Sequence, residues 1–167
     1  MIIRKANKND LANIMKVYLS CVNGMIKHGI TQWDKKYPNT KIIEQDIIAK
    51  TYYVVIENDI IIAGINIDWK QDPAYLNIKW EDTSNKFLVI HRLAVQYKSW
   101  KKNIGKSLMK FAEELVLKKH LKSIRLDTYN DNNKAIKFYK QLGYKQLGYI
   151  YLKPNKNEYY CFEKIIA

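Results

Sequence analysis

The stretch Phe87–Met109, FLVIHRLAVQYKSWKKNIGKSLM, carries the reading of the fold. Phe87, Val89 and Leu93 to Val95 are apolar or β-branched, as a buried strand requires, and a lysine-rich segment follows them. Ile104, Leu108, Phe111, Ala112 and Leu115 then recur at helical spacing. A strand therefore feeds a basic loop that ends on a helix N-terminus. The first N–H groups of a helix lack intrahelical acceptors and its aligned peptide dipoles place partial positive charge there, so phosphate oxygens fit that position. Lys101 and Lys102 add two cations, and Gly105 lets a ligand approach the backbone closely. Junctions of this kind are common, and most carry no anion.

A second stretch, Asn132–Tyr144, NNKAIKFYKQLGY, changes that balance. Together the two resemble the signatures of the GCN5-related N-acetyltransferase (GNAT) superfamily, in particular a branch of small bacterial acetyltransferase-like proteins. In that family an apolar strand leads into Arg/Gln-x-x-Gly-x-Gly/Ala, whose amides hold the pyrophosphate of coenzyme A. A later Asn-x-x-Ala-x-x-x-Tyr-x-x-x-Gly-Phe follows, matched here by Asn132, Ala135, Tyr139, Gly143 and Tyr144. With the last glycine of the first motif aligned on Gly105, Trp100 stands where Arg or Gln is usual and Asn103 where the first glycine is usual. Asn tolerates a left-handed backbone better than other non-glycine residues, so Asn103 can hold the turn. Trp100 cannot replace a guanidinium, which leaves the backbone part of phosphate binding.

The resemblance implies an α/β (α+β) fold, a mixed, mostly antiparallel central sheet with helices on both faces, and acetyl-CoA as cofactor. It places the cofactor against Leu93, Ala94 and Val95, against Lys101, Lys102, Asn103, Ile104, Gly105, Lys106 and Ser107, and against Asn132, Phe138 and Tyr139. Two of these residues carry catalytic expectations. In the family the strand holding Leu93 is bulged and its amides point at the thioester, which makes Leu93 the candidate oxyanion donor. Tyr139 matches the tyrosine that protonates the leaving thiolate. Phe138 and Tyr139 can equally be core aromatics on the inner face of an amphipathic helix, and Asn132 a helix cap.

Read in order, Ile2 to Lys5 forms a short strand, and Asn7 to Asp10 caps a helix through about Asn23, with Leu11, Ile14, Met15 and Leu19 as its apolar stripe. Gly29–Thr40, GITQWDKKYPNT, is a loop, with Asn39 or Thr40 capping a helix near Lys41 to Lys50. Trp33 and Tyr37 in that loop either cap the core or wall an acceptor pocket. Tyr52 to Ile56 and Ile60 to Ile67 pair as a hairpin turned at Asn58 and Asp59. Trp69 to Asn85 has no clean period and is expected to be an irregular insertion near the acceptor end. Ser123 to Thr128 is a strand, a helix begins at Asp131 or Asn132 and stops at Gly143, and Tyr144 to Leu152 with Glu158 to Lys164 make a final hairpin. The expected order is β-α-α-β-β-β-α-β-α-β-β in one domain over residues 1–167.

Composition excludes several classes. The 47% hydrophobic and 27% charged residues suit a soluble globular chain. MIIRKANKND turns polar after three residues, and the run Ile60 to Ile65 is too short to span a bilayer, so no membrane association is expected. Cys21 and Cys161 make no disulfide framework and, with His28, His91 and His120 scattered, no metal site is expected; a cytoplasmic location follows. The net charge of +13 is spread along the whole chain without a nucleic-acid-binding motif, so nucleic acid is not an expected partner, whereas a polyanionic cofactor is favoured.

The expected activity is transfer of the acetyl group of acetyl-CoA to a primary amine of a small molecule or a protein. A lysine-like ammonium is neutral in only about one molecule in 2,500 at pH 7, so some group or a desolvated pocket must supply the neutral amine. Glu57, Glu81, Asp82, His91 and Asp127 are the candidates for that base, and the residues do not choose among them. The departures at Trp100 and Asn103 motivate an alternative, a non-catalytic acyl-CoA-binding module. Homodimers are common among relatives and leave no mark in this sequence.

Overall fold

The computed structural model describes residues 1–152 and 157–167. Ile2–Lys5 forms β1, Leu11–Lys27 α1, Thr40–Ile48 α2, Tyr52–Glu57 β2, Ile60–Asp68 β3, Phe87–Val95 β4, Ile104–Lys118 α3, Ser123–Tyr129 β5, Asn133–Gln141 α4, Lys145–Tyr151 β6 and Glu158–Ile165 β7. The succession of strands and helices is the expected one. The sheet has seven strands in the order β1-β2-β3-β4-β5-β7-β6. Strand pairs β1/β2, β2/β3, β5/β7 and β6/β7 are antiparallel, and β4 runs parallel to β5 over Phe87–Val89. The chain divides into two compact units, Met1–Ile67 with His91–Phe111, and Asp68–Ile90 with Ala112–Ala167.

In the first unit, Asn58 and Asp59 both take positive φ, 49° and 61°, the conformation a two-residue hairpin turn between right-twisted strands demands. Asn7 and Asp10 form a capping box around a short 3-10 turn, Lys8–Asp10, and Asp10 also receives two bonds from Arg4 at 2.7 and 3.0 Å. The helix after it runs to Lys27, a turn beyond the expected end near Asn23. Its buried stripe is Ile14, Val17, Tyr18, Cys21, Val22 and Met25. Of the expected stripe, Ile14 is in the core, Leu11 and Met15 flank it, and Leu19 is 52% exposed. Both stripes have helical spacing; the one carrying Tyr18 removes more apolar surface from water and finds a partner for its hydroxyl. Asn39, rather than Thr40, caps α2 through the Ile42 N–H at 3.0 Å, and the helix ends at Ile48.

In the second unit, β5 and β6 flank β7, and Gly143 at φ +85° closes α4. The insertion 69–85 contains a single 3-10 turn, Pro73–Asn77, started by Asp72. It is held by Arg125, whose guanidinium lies between the rings of Trp80 and Phe87 at 4.5 and 4.0 Å. The same guanidinium pairs with Glu163 at 3.1 Å and donates to the Asp82 carbonyl at 2.6 Å, all of it buried. Buried charge is tolerated there because it is paired and hydrogen-bonded on every side. Cys21 and Cys161 are both buried free thiols. Among the described residues no helix is long and apolar enough to cross a membrane.

Candidate active site

The first unit contains His91–Phe111, which is the end of β4, the basic loop and the start of α3. Within β4, Arg92 takes φ +52°. A non-glycine residue in the left-handed region within a strand is the signature of a bulge, and it sits immediately before Leu93. Beyond it the strand end is tied back by Gln96 N–H to the Ile62 carbonyl at 2.9 Å. Ala94 is buried in the core, while Leu93 and Val95 are half-buried. The Cys21 thiol is pushed up to about 11 by burial, and the Val95 N–H beside it works the other way.

The loop itself is built from three backbone turns. Ser99 N–H bonds to Gln96 O at 2.9 Å, Trp100 N–H to Tyr97 O at 3.1 Å and Lys102 N–H to Ser99 O at 3.4 Å, and Lys101 and Asn103 take φ +65° and +61°. Asn103 thus holds the left-handed turn that the missing glycine of the motif called for. The first backbone bond of α3 joins Ser107 N–H to Asn103 O at 3.0 Å. The amides of Ile104, Gly105 and Lys106 precede it and have no carbonyl within the helix to accept them. Lys101, Lys102, Asn103 and Lys106 are exposed, Gly105 and Ser107 are half-buried, and the Ile104 side chain is buried, so Ile104 offers a ligand its backbone alone.

Trp100 has a different role from the Arg or Gln it replaces. Its indole Nε1 donates to the Val95 carbonyl at 2.8 Å, its ring stacks on His28 at 5.6 Å and meets Tyr97 edge-on at 5.0 Å. A Cβ on Gly24 of α1 would run into Tyr97 Cγ at 2.9 Å and Trp100 Cζ2 at 3.1 Å. The Tyr97 N–H donates to Ser20 Oγ of the same helix at 2.9 Å. Ring packing and the Tyr97–Ser20 hydrogen bond thereby latch the loop to α1, in place of a side chain reaching for phosphate. Trp33 is buried against Tyr18 at 5.5 Å and belongs to the core, whereas Tyr37 is 37% exposed.

The second unit contains Asn132, Phe138 and Tyr139. Asn132 caps α4 by accepting the Ala135 N–H at 3.1 Å. Tyr139 is buried among Phe138, Tyr144 and Phe162, with ring centroids 5.2 to 6.0 Å apart. Burial, and then the negative charge of Asp127, hold its phenol well above the usual range, so it keeps its proton at neutral pH. Of the base candidates in this unit, Glu81 pairs with Lys145, Asp82 accepts from Ser84 and Ser123, and Asp127 accepts the Tyr75 hydroxyl at 2.5 Å. In the first unit Glu57 is exposed at the hairpin and His91 is half-buried in β4.

Sequence reading missed the support around Arg92 and the latch on Gly24. Their partners lie far apart in the chain, 46 residues from Asp46 to Arg92 and 77 from Ser20 to Tyr97. The one available signal was a glycine inside the helical pattern of α1, which often marks a close approach by another element.

The left-handed turn at Asn103 feeding the start of α3 has the backbone form of an anion-binding junction. The family model described as Acetyltransferase (GNAT) family matches residues 23–144, and the chain belongs to that family. Solved structures of the same fold include an acetyltransferase of the GNAT family from Streptococcus agalactiae, 23% identical with a TM-score of 0.85 over 98% of this chain and 94% of that one. A GNAT-family acetyltransferase from Listeria monocytogenes is 22% identical with a TM-score of 0.76, again over 98% and 94%. The PaiA N-acetyltransferase of Thermoplasma acidophilum, solved in complex with coenzyme A, is 18% identical with a TM-score of 0.73 over 98% of both chains.

Proposed function

We propose that this chain is one acetyltransferase domain, working in the cytoplasm, that transfers the acetyl group of acetyl-CoA to a primary amine of a small molecule or a protein. The observation that carries the reading is the loop after β4. Left-handed Asn103 and the unpaired amides of Ile104, Gly105 and Lys106 at a helix N-terminus form a backbone cradle for a diphosphate. Lys101 and Lys102 supply charge beside it, and the net charge of +13 favours a polyanion. The complex of the PaiA enzyme with coenzyme A supports the same ligand for the shared fold.

Acetyl-CoA supplies an activated acetyl thioester; the rest falls to the chain. Loop amides from Asn103 to Ser107 hold the phosphates, and Leu93 to Val95 line the pantetheine arm. Leu93 N–H, directed by the bulge at Arg92, stabilises the charge that builds on the thioester oxygen, a contribution of about 3 kcal/mol for a fixed donor. Tyr139 donates to the departing sulfur. Because its phenol is held above an ordinary thiol, full proton transfer is uphill, and its part is a strong hydrogen bond. Asn132 and Phe138 support the same arm. Trp33 serves the core, leaving Tyr37 as the acceptor-side contact of that loop.

The test is release of free thiol from acetyl-CoA against a panel of small primary amines and lysine peptides, with mass spectrometry of the product. Acetylated amine is the expected result. Tight coenzyme A binding with no turnover on any amine would establish the non-catalytic module instead, a reading favoured by the use of Trp100 as a latch.

A further inference from the structure

We infer that Arg92 is a positioning residue whose strained backbone, clamped by Tyr18 and Asp46, aims the Leu93 N–H; this rests on the function proposed above. The clamp has two independent arms. The Tyr18 hydroxyl, on α1, donates to the Arg92 carbonyl at 2.5 Å. The Arg92 guanidinium meets both carboxylate oxygens of Asp46, on α2, at 2.6 to 3.0 Å, with both side chains largely buried.

Each arm is itself supported. Tyr52, on β2, donates its hydroxyl to Tyr18 at 3.0 Å, and both phenols are fully in the core. Gly64 on β3 has no side chain where the Tyr52 hydroxyl lies, and a Cβ there would collide with it. A glycine in the middle of a strand normally weakens it, so its presence under the relay has a packing reason. A non-glycine residue at φ +52° is costly and persists only where the surroundings over-determine it. Here a carbonyl bond and a bidentate ion pair converge on that one residue. Rotation of Arg92 toward the ordinary strand region would break them and swing the next amide, that of Leu93, away from its direction.

Tyr18→Phe removes the carbonyl bond while keeping the ring in the core. It is expected to lower kcat by about 10- to 100-fold, the range for a displaced transition-state donor, with the KM for acetyl-CoA within about twofold of wild type. Asp46→Asn should act in the same direction. Ile124→Val is the control: it removes one buried methyl from β5 and no member of the clamp, so it is expected to lose comparable thermal stability and keep kcat. Because an acceptor need not be known, the second readout is the 15N–1H resonance of Leu93 on addition of acetyl-CoA, expected to shift in wild type and Ile124→Val and to lose that shift in Tyr18→Phe. A wild-type Leu93 resonance indifferent to saturating acetyl-CoA would sink the underlying function. A Leu93 response and turnover in Tyr18→Phe matching those of Ile124→Val would overturn the clamp.

Discussion

Gly24→Ala tests whether the phosphate loop is held by packing on α1. In an open helix interior the change stabilises by about 1 kcal/mol, since alanine loses less backbone freedom than glycine. Here the new Cβ meets Tyr97 Cγ at 2.9 Å and Trp100 Cζ2 at 3.1 Å. Tyr97 Cγ is the root of a ring and cannot swing aside, and its backbone is pinned by the bond from its N–H to Ser20 and the turn bonds that follow. The loop has to move as a body. Overpacking of this kind costs about 1–3 kcal/mol, so it cancels or exceeds the helical gain. The more telling effect is on the ligand: amides displaced by a few tenths of an ångström lose alignment with phosphate, and one charge-assisted hydrogen bond is worth about 1.5–3 kcal/mol, or roughly a 10- to 150-fold weaker Kd for coenzyme A. Isothermal titration with coenzyme A and scanning calorimetry on the same preparation measure both. Tyr97→Ala in the Gly24→Ala background should recover part of the lost stability, because the two sites are coupled. An unchanged Kd together with a Tm raised by about 2–4 °C would refute the latch.

Tyr139→Phe should reduce kcat by about 10- to 150-fold, the value of a hydrogen bond to a charged atom, and spare coenzyme A affinity; unchanged turnover in a stopped-flow thiol assay removes the role. Glu163→Gln leaves Arg125 buried without its counter-charge and is expected to destabilise the fold by about 3–5 kcal/mol in urea titration, while an effect below 1 kcal/mol means the guanidinium finds water. Stability should also fall in acid through Asp82. Burial acts to raise its carboxyl, but bonds from Ser84 and Ser123 outweigh that and hold it below the usual carboxylate range. A depressed folded-state value contributes stability that is complete above the ordinary aspartate pKa and is lost as pH falls through the depressed one. Asp82→Asn is therefore expected to flatten the melting temperature between about pH 4 and pH 2, and an unchanged acid slope refutes this assignment.

The elements were legible wherever the cue was local. The hairpin at Asn58 and Asp59, the cap at Asn132, the stop at Gly143 and the left-handed turn at Asn103 each depend on the conformational preference of one or two residues, and all stand as read. The spacing of Ile104, Leu108 and Ala112 likewise defines the inner face of α3, all three being buried. Where two faces of a helix satisfied the same period, spacing did not choose between them, and Tyr18 rather than Leu19 went inside. Trp100 could be read as unable to bind phosphate, and its actual partners were beyond reach. Those partners, Gly24 and His28, and likewise Asp46 and Tyr18 for Arg92, meet only when distant segments pack. Local chemistry reaches across a few bonds and so was readable in the chain; a clamp or a latch exists through contacts of a few ångströms between residues dozens apart, and only folding brings them together.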